Sequence, residues 1–182
     1  MPSLDRINPR FANRFQTLSG RHFRGTLQPD DEGSIPSYDF TYPRLTIRVH
    51  KDEPCASGEV FTDAWGRHLL LADHDLSLTR DQKLYRVHRV FQVPTQATWM
   101  RASNTVDALT GLERTSPTRT NMGDIWIAVE IYGRETPDQG LRVSEETRRI
   151  ITGAPIQLGD LVDNTPVKRL APIFGVWLAE LQ

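Results

Sequence analysis

Between Gly123 and Gly133, Ile125, Ile127, Val129 and Ile131 alternate with Trp126, Ala128, Glu130 and Tyr132. A period of two between glycines is the pattern of a β-strand. One face is wholly β-branched, and such stiff side chains suit a pleated surface. Burying all four is worth roughly 6–12 kcal/mol as an upper bound from transfer energies. The pattern predicts a central strand with this face in the core. The opposite face carries two aromatics and an acid, so a neighbouring segment or partner chain is expected to half cover it.

The same alternation predicts further strands. Leu45, Ile47 and Val49 alternate with Thr46, Arg48 and His50 after Pro43. Glu59–Thr62 and Arg67–Leu71 flank Asp63-Ala-Trp-Gly66, whose glycine can take the left-handed conformation of a hairpin loop, with Trp65 at the tip. Tyr85, Val87, Val90 and Val93 shift parity, as a bulge near His88 and Arg89 would produce. Thr98–Arg101 reads as a short strand. Ile156–Val162, Val167–Leu170 and Phe174–Leu181 read as three more, with turns at Asn164–Pro166 and at Ala171-Pro172.

Three stretches break the alternation. Over residues 8–20, Asn8 as N-cap, Pro9 at the first helical position and Gly20 past the last turn predict a helix with Phe11, Phe15 and Leu18 on one face. Ser144–Ile151, with acids first and arginines last, predicts about two helical turns. Ala102–Met122 is polar and has no apolar period, which in a connection of that length marks a functional or disordered segment. Its place between two strands predicts a long hairpin arm with Thr110, Gly111 and Leu112 near its tip. No period-matched repeat is visible.

The resulting fold class is mainly β: a small antiparallel barrel or sandwich with an N-terminal helical arm and a long hairpin loop. Residues 1–39 are expected to be a basic N-terminal arm and linker, since Thr26–Asp39 is rich in Pro, Gly and acids. Residues 40–182 are expected to be one β-rich domain with a protruding 102–122 arm.

Composition narrows the function classes. A formal net charge of -1 over 182 residues removes the global electrostatic reason to expect nucleic acid or an anionic membrane as the main partner. One cysteine, Cys55, excludes an internal disulfide. No stretch approaches the length of a transmembrane helix and no signal peptide is expected, so the reading is a cytosolic place of synthesis and no membrane. Charge is nevertheless uneven: Arg6, Arg10, Arg14, Arg21 and Arg24 face only Asp5 within residues 1–25. Either this amphipathic segment docks on an acidic partner or phosphates, or its Phe face covers its own sheet while the arginines are solvated.

Candidate chemistry is sparse. His68 and His74 would lie about 20 Å apart on an extended strand, too far to share a metal. Asp73-His-Asp75 reads as a turn. No H-E-x-x-H, G-x-S-x-G, G-x-G-x-x-G or phosphate-binding G-x-x-x-x-G-K occurs. Cys55 sits in an acidic turn that raises a thiol's pKa and blunts it as a nucleophile. The four tryptophans are spread along the chain and read as core or interface residues. No catalytic residue, metal ligand or cofactor is assigned.

Gly58–Leu71, and Ile156–Val162 through Gly175–Leu181, resemble the small β-rich neck proteins of tailed bacteriophages, the head-closure or stopper class and its tail-side neighbours. The resemblance is one of pattern and implies a ring-forming β-barrel with protruding loops and arms between portal and tail. It implies a structural virion protein, assembled in the host cytoplasm, that is not an enzyme. Its partners would be a homo-oligomeric ring, an adjoining portal, adaptor or tail protein, and packaged DNA if the basic arm reaches it. The alternative is a nucleic-acid-binding β-barrel module; an enzyme is third. The partner-interface candidates are Arg6, Arg10, Phe11, Arg14, Phe15, Trp65, Thr110, Gly111 and Leu112.

Overall fold

The computed structural model describes residues 13–29, 45–74, 84–103, 118–138 and 141–182. These form twelve strands and, among the described residues, no helix. The first six are β1 (Asn13–Thr17), β2 (His22–Pro29), β3 (Leu45–His50), β4 (Val60–Thr62), β5 (His68–His74) and β6 (Tyr85–Gln92). They close into an antiparallel barrel in the order β1-β2-β3-β6-β5-β4, with Gln16 opposite Thr62 at the seam. The second six are β7 (Thr95–Ser103), β8 (Thr118–Asp138), β9 (Leu141–Thr152), β10 (Leu161–Val162), β11 (Thr165–Ile173) and β12 (Val176–Leu181). They close in the order β7-β8-β9-β12-β11-β10, with Trp99 opposite Val162. Closure pairs the backbone groups that an open edge would expose.

The strand order is the same in both barrels, and the pairings place equivalent residues round the whole ring. Phe15 and Ala97, Phe23 and Ile125, Ile47 and Ile150, Phe61 and Val162, Leu71 and Val167, and Val90 and Leu181 hold matching register positions and line the two cores. Each barrel has a one-residue bulge directly after Leu71 or Val167. The lead-in to β4 and to β10 is a shared turn, Pro54-Cys-Ala-Ser-Gly-Glu59 and Pro155-Ile-Gln-Leu-Gly-Asp160. Gly58 and Gly159 both sit at φ 85°, where only glycine is unstrained. Gly58 N–H donates to Leu71 O at 2.8 Å, and Gly159 N–H to Val167 O at 3.0 Å. Glu59 accepts from Ala56 N–H as Asp160 accepts from Gln157 N–H, each at 2.9 Å. The molecule is thus a tandem structural repeat, hidden from sequence periodicity because the intervening connections differ in length.

Several expectations are corrected. Residues 13–20 are strand and turn, not helix: Phe15 and Thr17 both point into the first barrel, while Leu18 is exposed. Pairing with β2 and β4 overrides the local capping signals, as tertiary context often overrides propensity. Asn8, Pro9 and Phe11 lie outside the described residues. Thr26–Pro29, expected in a linker, continues β2 and pairs with β3. Ser144–Ile151 belongs to β9, where Glu145 and Arg149 stand at register positions opposite Arg134 and Glu130. Pairing with β8 on one side and β12 on the other, rather than the charge order that mimics a helix dipole, decides the segment. The bulge expected in β6 is in its partner β5, between Leu71 and His74. β11 runs through Ala171 and Pro172, and the turn falls at Phe174-Gly175.

The central strand is β8, but its burial switches faces. Ile125 and Ile127 point into the second barrel, Ala128 and Glu130 are buried on the opposite face, and Ile131 is 65% exposed. Gly123 does not end the strand; at φ 99° it pairs with Trp99 beside a bulge at Met122, before Asn121 pairs with Met100.

Both faces are used because the barrels pack together. Leu70, Ala72 and Val93 of the first form one apolar cluster with Ala128, Ile151, Ile173, Val176 and Leu178 of the second. His68 stacks on Trp126 with centroids 3.7 Å apart. The Phe174-Gly175 turn, both residues at positive φ, lies against the first barrel. Its Phe174 carbonyl accepts the Asp73 N–H, and the Arg89 guanidinium lies 4.7 Å from the Phe174 ring centroid.

Candidate assembly surfaces

The β4–β5 hairpin forms as the sequence predicts and presents Trp65, which is 76% exposed. Its turn is held from beneath by the buried Asp63 carboxylate. Oδ1 accepts the N–H groups of Trp65 and Arg67, both at 2.9 Å, and Oδ2 accepts Arg67 Nε–H at 2.7 Å. The Arg67 guanidinium then lies 4.9 Å from the Trp65 ring centroid. Gly66 closes the turn at φ 77°. The indole is therefore displayed on a fixed loop, which lowers the entropy cost of docking it.

The β8–β9 hairpin is longer than the barrel that holds it. β7 pairs with β8 only as far as Ile127, and β12 pairs with β9 only from Thr152 to Arg148. From Tyr132 opposite Thr147 to Asp138 opposite Leu141, seven register pairs have no third strand among the described residues. At strand rise this ribbon projects about 20 Å. A two-stranded ribbon standing alone is marginal in water, and its free edges can take up another strand. At the other end of β8, Arg101–Ser103 and Thr118–Thr120 pair as the base of the predicted hairpin arm. The arm's outer part, including Thr110, Gly111 and Leu112, lies outside the described residues.

A third feature escaped sequence reading. The 157–160 turn and the β11–β12 hairpin border an open groove of about 470 Å³, lined on its apolar side by Leu158, Leu170, Ala171 and Leu178. Lys168, Arg169 and Glu180 stand at its rim. Arg169 pairs with Glu180 at 3.4 Å but keeps a largely exposed side chain. These residues come from separate segments, so only the fold brings them together.

The remaining candidates are dispersed. Arg14 is exposed on β1 opposite Arg24, Arg21 pairs with Glu59, and Phe15 lies in the first barrel's core rather than on a docking face. Arg6 and Arg10 lie outside the described residues. Phe15, Phe23 and Phe61 pack with centroids 5.2–5.4 Å apart, the geometry of a core cluster.

Buried acids serve the fold. Asp160 accepts Trp99 Nε1–H at 2.8 Å and Gln157 N–H at 2.9 Å, and pairs with Arg101. Cys55 is buried in the first barrel, and its thiol pKa is raised above the ordinary 9.0, chiefly by burial, with Arg86 opposing and Glu59 and Glu53 adding to the rise. Among the described residues no group of three or more His, Cys, Asp or Glu could hold a metal, and no helix is long and apolar enough to cross a membrane. Comparison with known proteins finds no matching family model, curated protein or solved structure.

Proposed function

We propose that this chain is a structural, non-enzymatic virion protein that forms a homo-oligomeric ring at the head-to-tail connection of a tailed bacteriophage, next to a portal, adaptor or tail protein. The observation that carries the assembly part of this reading is the β8–β9 ribbon. Seven register pairs extend beyond both neighbouring strands, an arrangement that a lone subunit leaves exposed and a neighbouring subunit can complete. The place in the virion rests on the pattern resemblance described above.

Supporting features point the same way. A closed barrel fixes its side chains on a rigid frame, and two barrels joined through an apolar cluster extend that frame. The exposed Trp65 turn and the paired base of the β7–β8 connection are built on it.

The test is to purify virions and locate the chain by labelled single-particle imaging. The expected result is a cyclic set of copies between head and tail, lost when residues 134–145 are replaced by a two-residue turn although the barrels still fold. Absence of the chain from purified virions overturns the reading. Retention of a labelled duplex with steep salt dependence would favour a nucleic-acid-binding module instead.

A further inference from the structure

Among the described residues, the repeat leaves one docking site filled and its counterpart open. Register equivalence places Leu158 with Ser57, Lys168 and Arg169 with Ala72 and Asp73, and Leu178 and Glu180 with Val87 and Arg89. In the first barrel this surface receives the Phe174-Gly175 turn: Asp73 N–H bonds the Phe174 carbonyl and Arg89 covers its ring. In the second barrel the equivalent surface is the open groove lined by Leu158, Leu170, Ala171 and Leu178. At the position of Arg89 the second barrel carries Glu180, and its cations, Lys168 and Arg169, stand instead at the positions of Ala72 and Asp73.

The same chain also carries an exposed aromatic-glycine turn that, among the described residues, meets only its own Arg67. Trp65-Gly66 matches Phe174-Gly175 in kind, an aromatic followed by a glycine at positive φ, and its indole is 76% exposed. We propose that the Trp65 turn of one copy seats in the Leu158–Leu178 groove of a second copy, making a head-to-tail contact between identical chains.

The chemistry of the two surfaces fits. The indole supplies apolar area for the four apolar lining residues, and aromatic anchors in pockets dominate interface energetics. One ring face is taken by Arg67, whose charge Asp63 neutralises. The other face is open to Lys168 or Arg169, a cation–π arrangement like that of Arg89 on Phe174. Tip and groove are different surfaces, so the contact is heterologous. It closes into a ring when the rotation permits and otherwise runs into a filament. This inference rests on the ring reading and names the contact that would build it.

The experiment uses the full chain in sedimentation over a concentration series, with Trp65→Ala and Leu158→Glu. Both residues are exposed, so both variants are expected to keep the wild-type circular dichroism spectrum, which is checked first. The expected result is self-association of the wild type, weakened about 30-fold or more in either variant, as for an interface hot spot. An equimolar mixture of the two variants should form a dimer and nothing larger, because one variant keeps its groove and the other its tip. A monomeric wild type, variants that associate like the wild type, or a mixture that stays monomeric would each overturn the contact. Virions distinguish this from failure of the ring reading. Normal incorporation of Trp65→Ala would sink the contact and spare the ring, whereas Trp65-dependent association of a chain absent from virions would spare the contact and sink the ring.

Discussion

Ile127 has no exposed surface and lies in the second barrel's core, on the face that the alternation around it predicts. Ile127→Asp would bury an unpaired carboxylate there. The cost is several kcal/mol against a total stability of about 5–15, so the second barrel should be unfolded at ambient temperature by circular dichroism. Cys55 gives a pH-dependent prediction. Burial raises its thiol pKa above 9.0, so the folded state holds the neutral thiol over a wider pH range than the unfolded state does. Its contribution to stability is full below the unfolded value and is lost as pH climbs through the folded one. Alkylation of the native protein at pH 8 should therefore be much slower than in denaturant, since the thiolate is the attacking species. Equal rates would show an accessible, ionised Cys55. Sequence reading reached the right direction for this thiol from its acidic neighbours, but the larger cause, enclosure by the first barrel, is a property of the fold.

Strands with strict alternation were legible one by one: β3, the β4–β5 hairpin with Trp65 at its tip, and the buried half of β8. Segments whose charges or caps imitate helix signals were not, because the pairing that decides them comes from distant residues. Arg149, read as the end of a helix, pairs instead with Glu180 of β12 at 3.0 Å. The groove was illegible for a related reason, since Leu158 and Leu178 meet only once β11 and β12 have turned back on the 157–160 turn. Where two elements approach most closely, a further substitution is informative. A Cβ at Gly153 would collide with the Gly58 carbonyl across the barrel contact. Gly153→Ala should cost about 1–3 kcal/mol, as overpacking does, visible as a lower denaturant midpoint. Replacing residues 104–117 with a short turn should leave that midpoint unchanged, because the paired base of the arm at Arg101–Ser103 and Thr118–Thr120 is kept. Loss of folding in that deletion would place the arm in the core.

The two barrels each enclose a separate apolar cluster, and a third cluster joins them. A single β-rich domain was expected; the observed arrangement couples two repeats through the outer faces of β5, β8, β9 and β12. Coupling of this kind makes unfolding one cooperative event if the joining cluster is comparable in strength to the stability of either barrel. Ala128 tests this cleanly, because it is 1% exposed in the joining cluster and belongs to neither barrel's own core. Ala128→Asp places a carboxylate between apolar faces, where it either remains buried without a partner or forces the faces apart to admit water. Both outcomes remove the coupling while leaving the two inner clusters intact. Calorimetry should then show one transition for the wild type and two for Ala128→Asp, with the less stable barrel melting first. Near-ultraviolet dichroism should report loss of the His68–Trp126 stack in the same variant, since that pair spans the contact. A single transition at an unchanged temperature in Ala128→Asp would mean that the coupling survives the substitution and does not depend on the joining cluster at Ala128, whereas two transitions already in the wild type would show the repeats to be independent barrels on one chain.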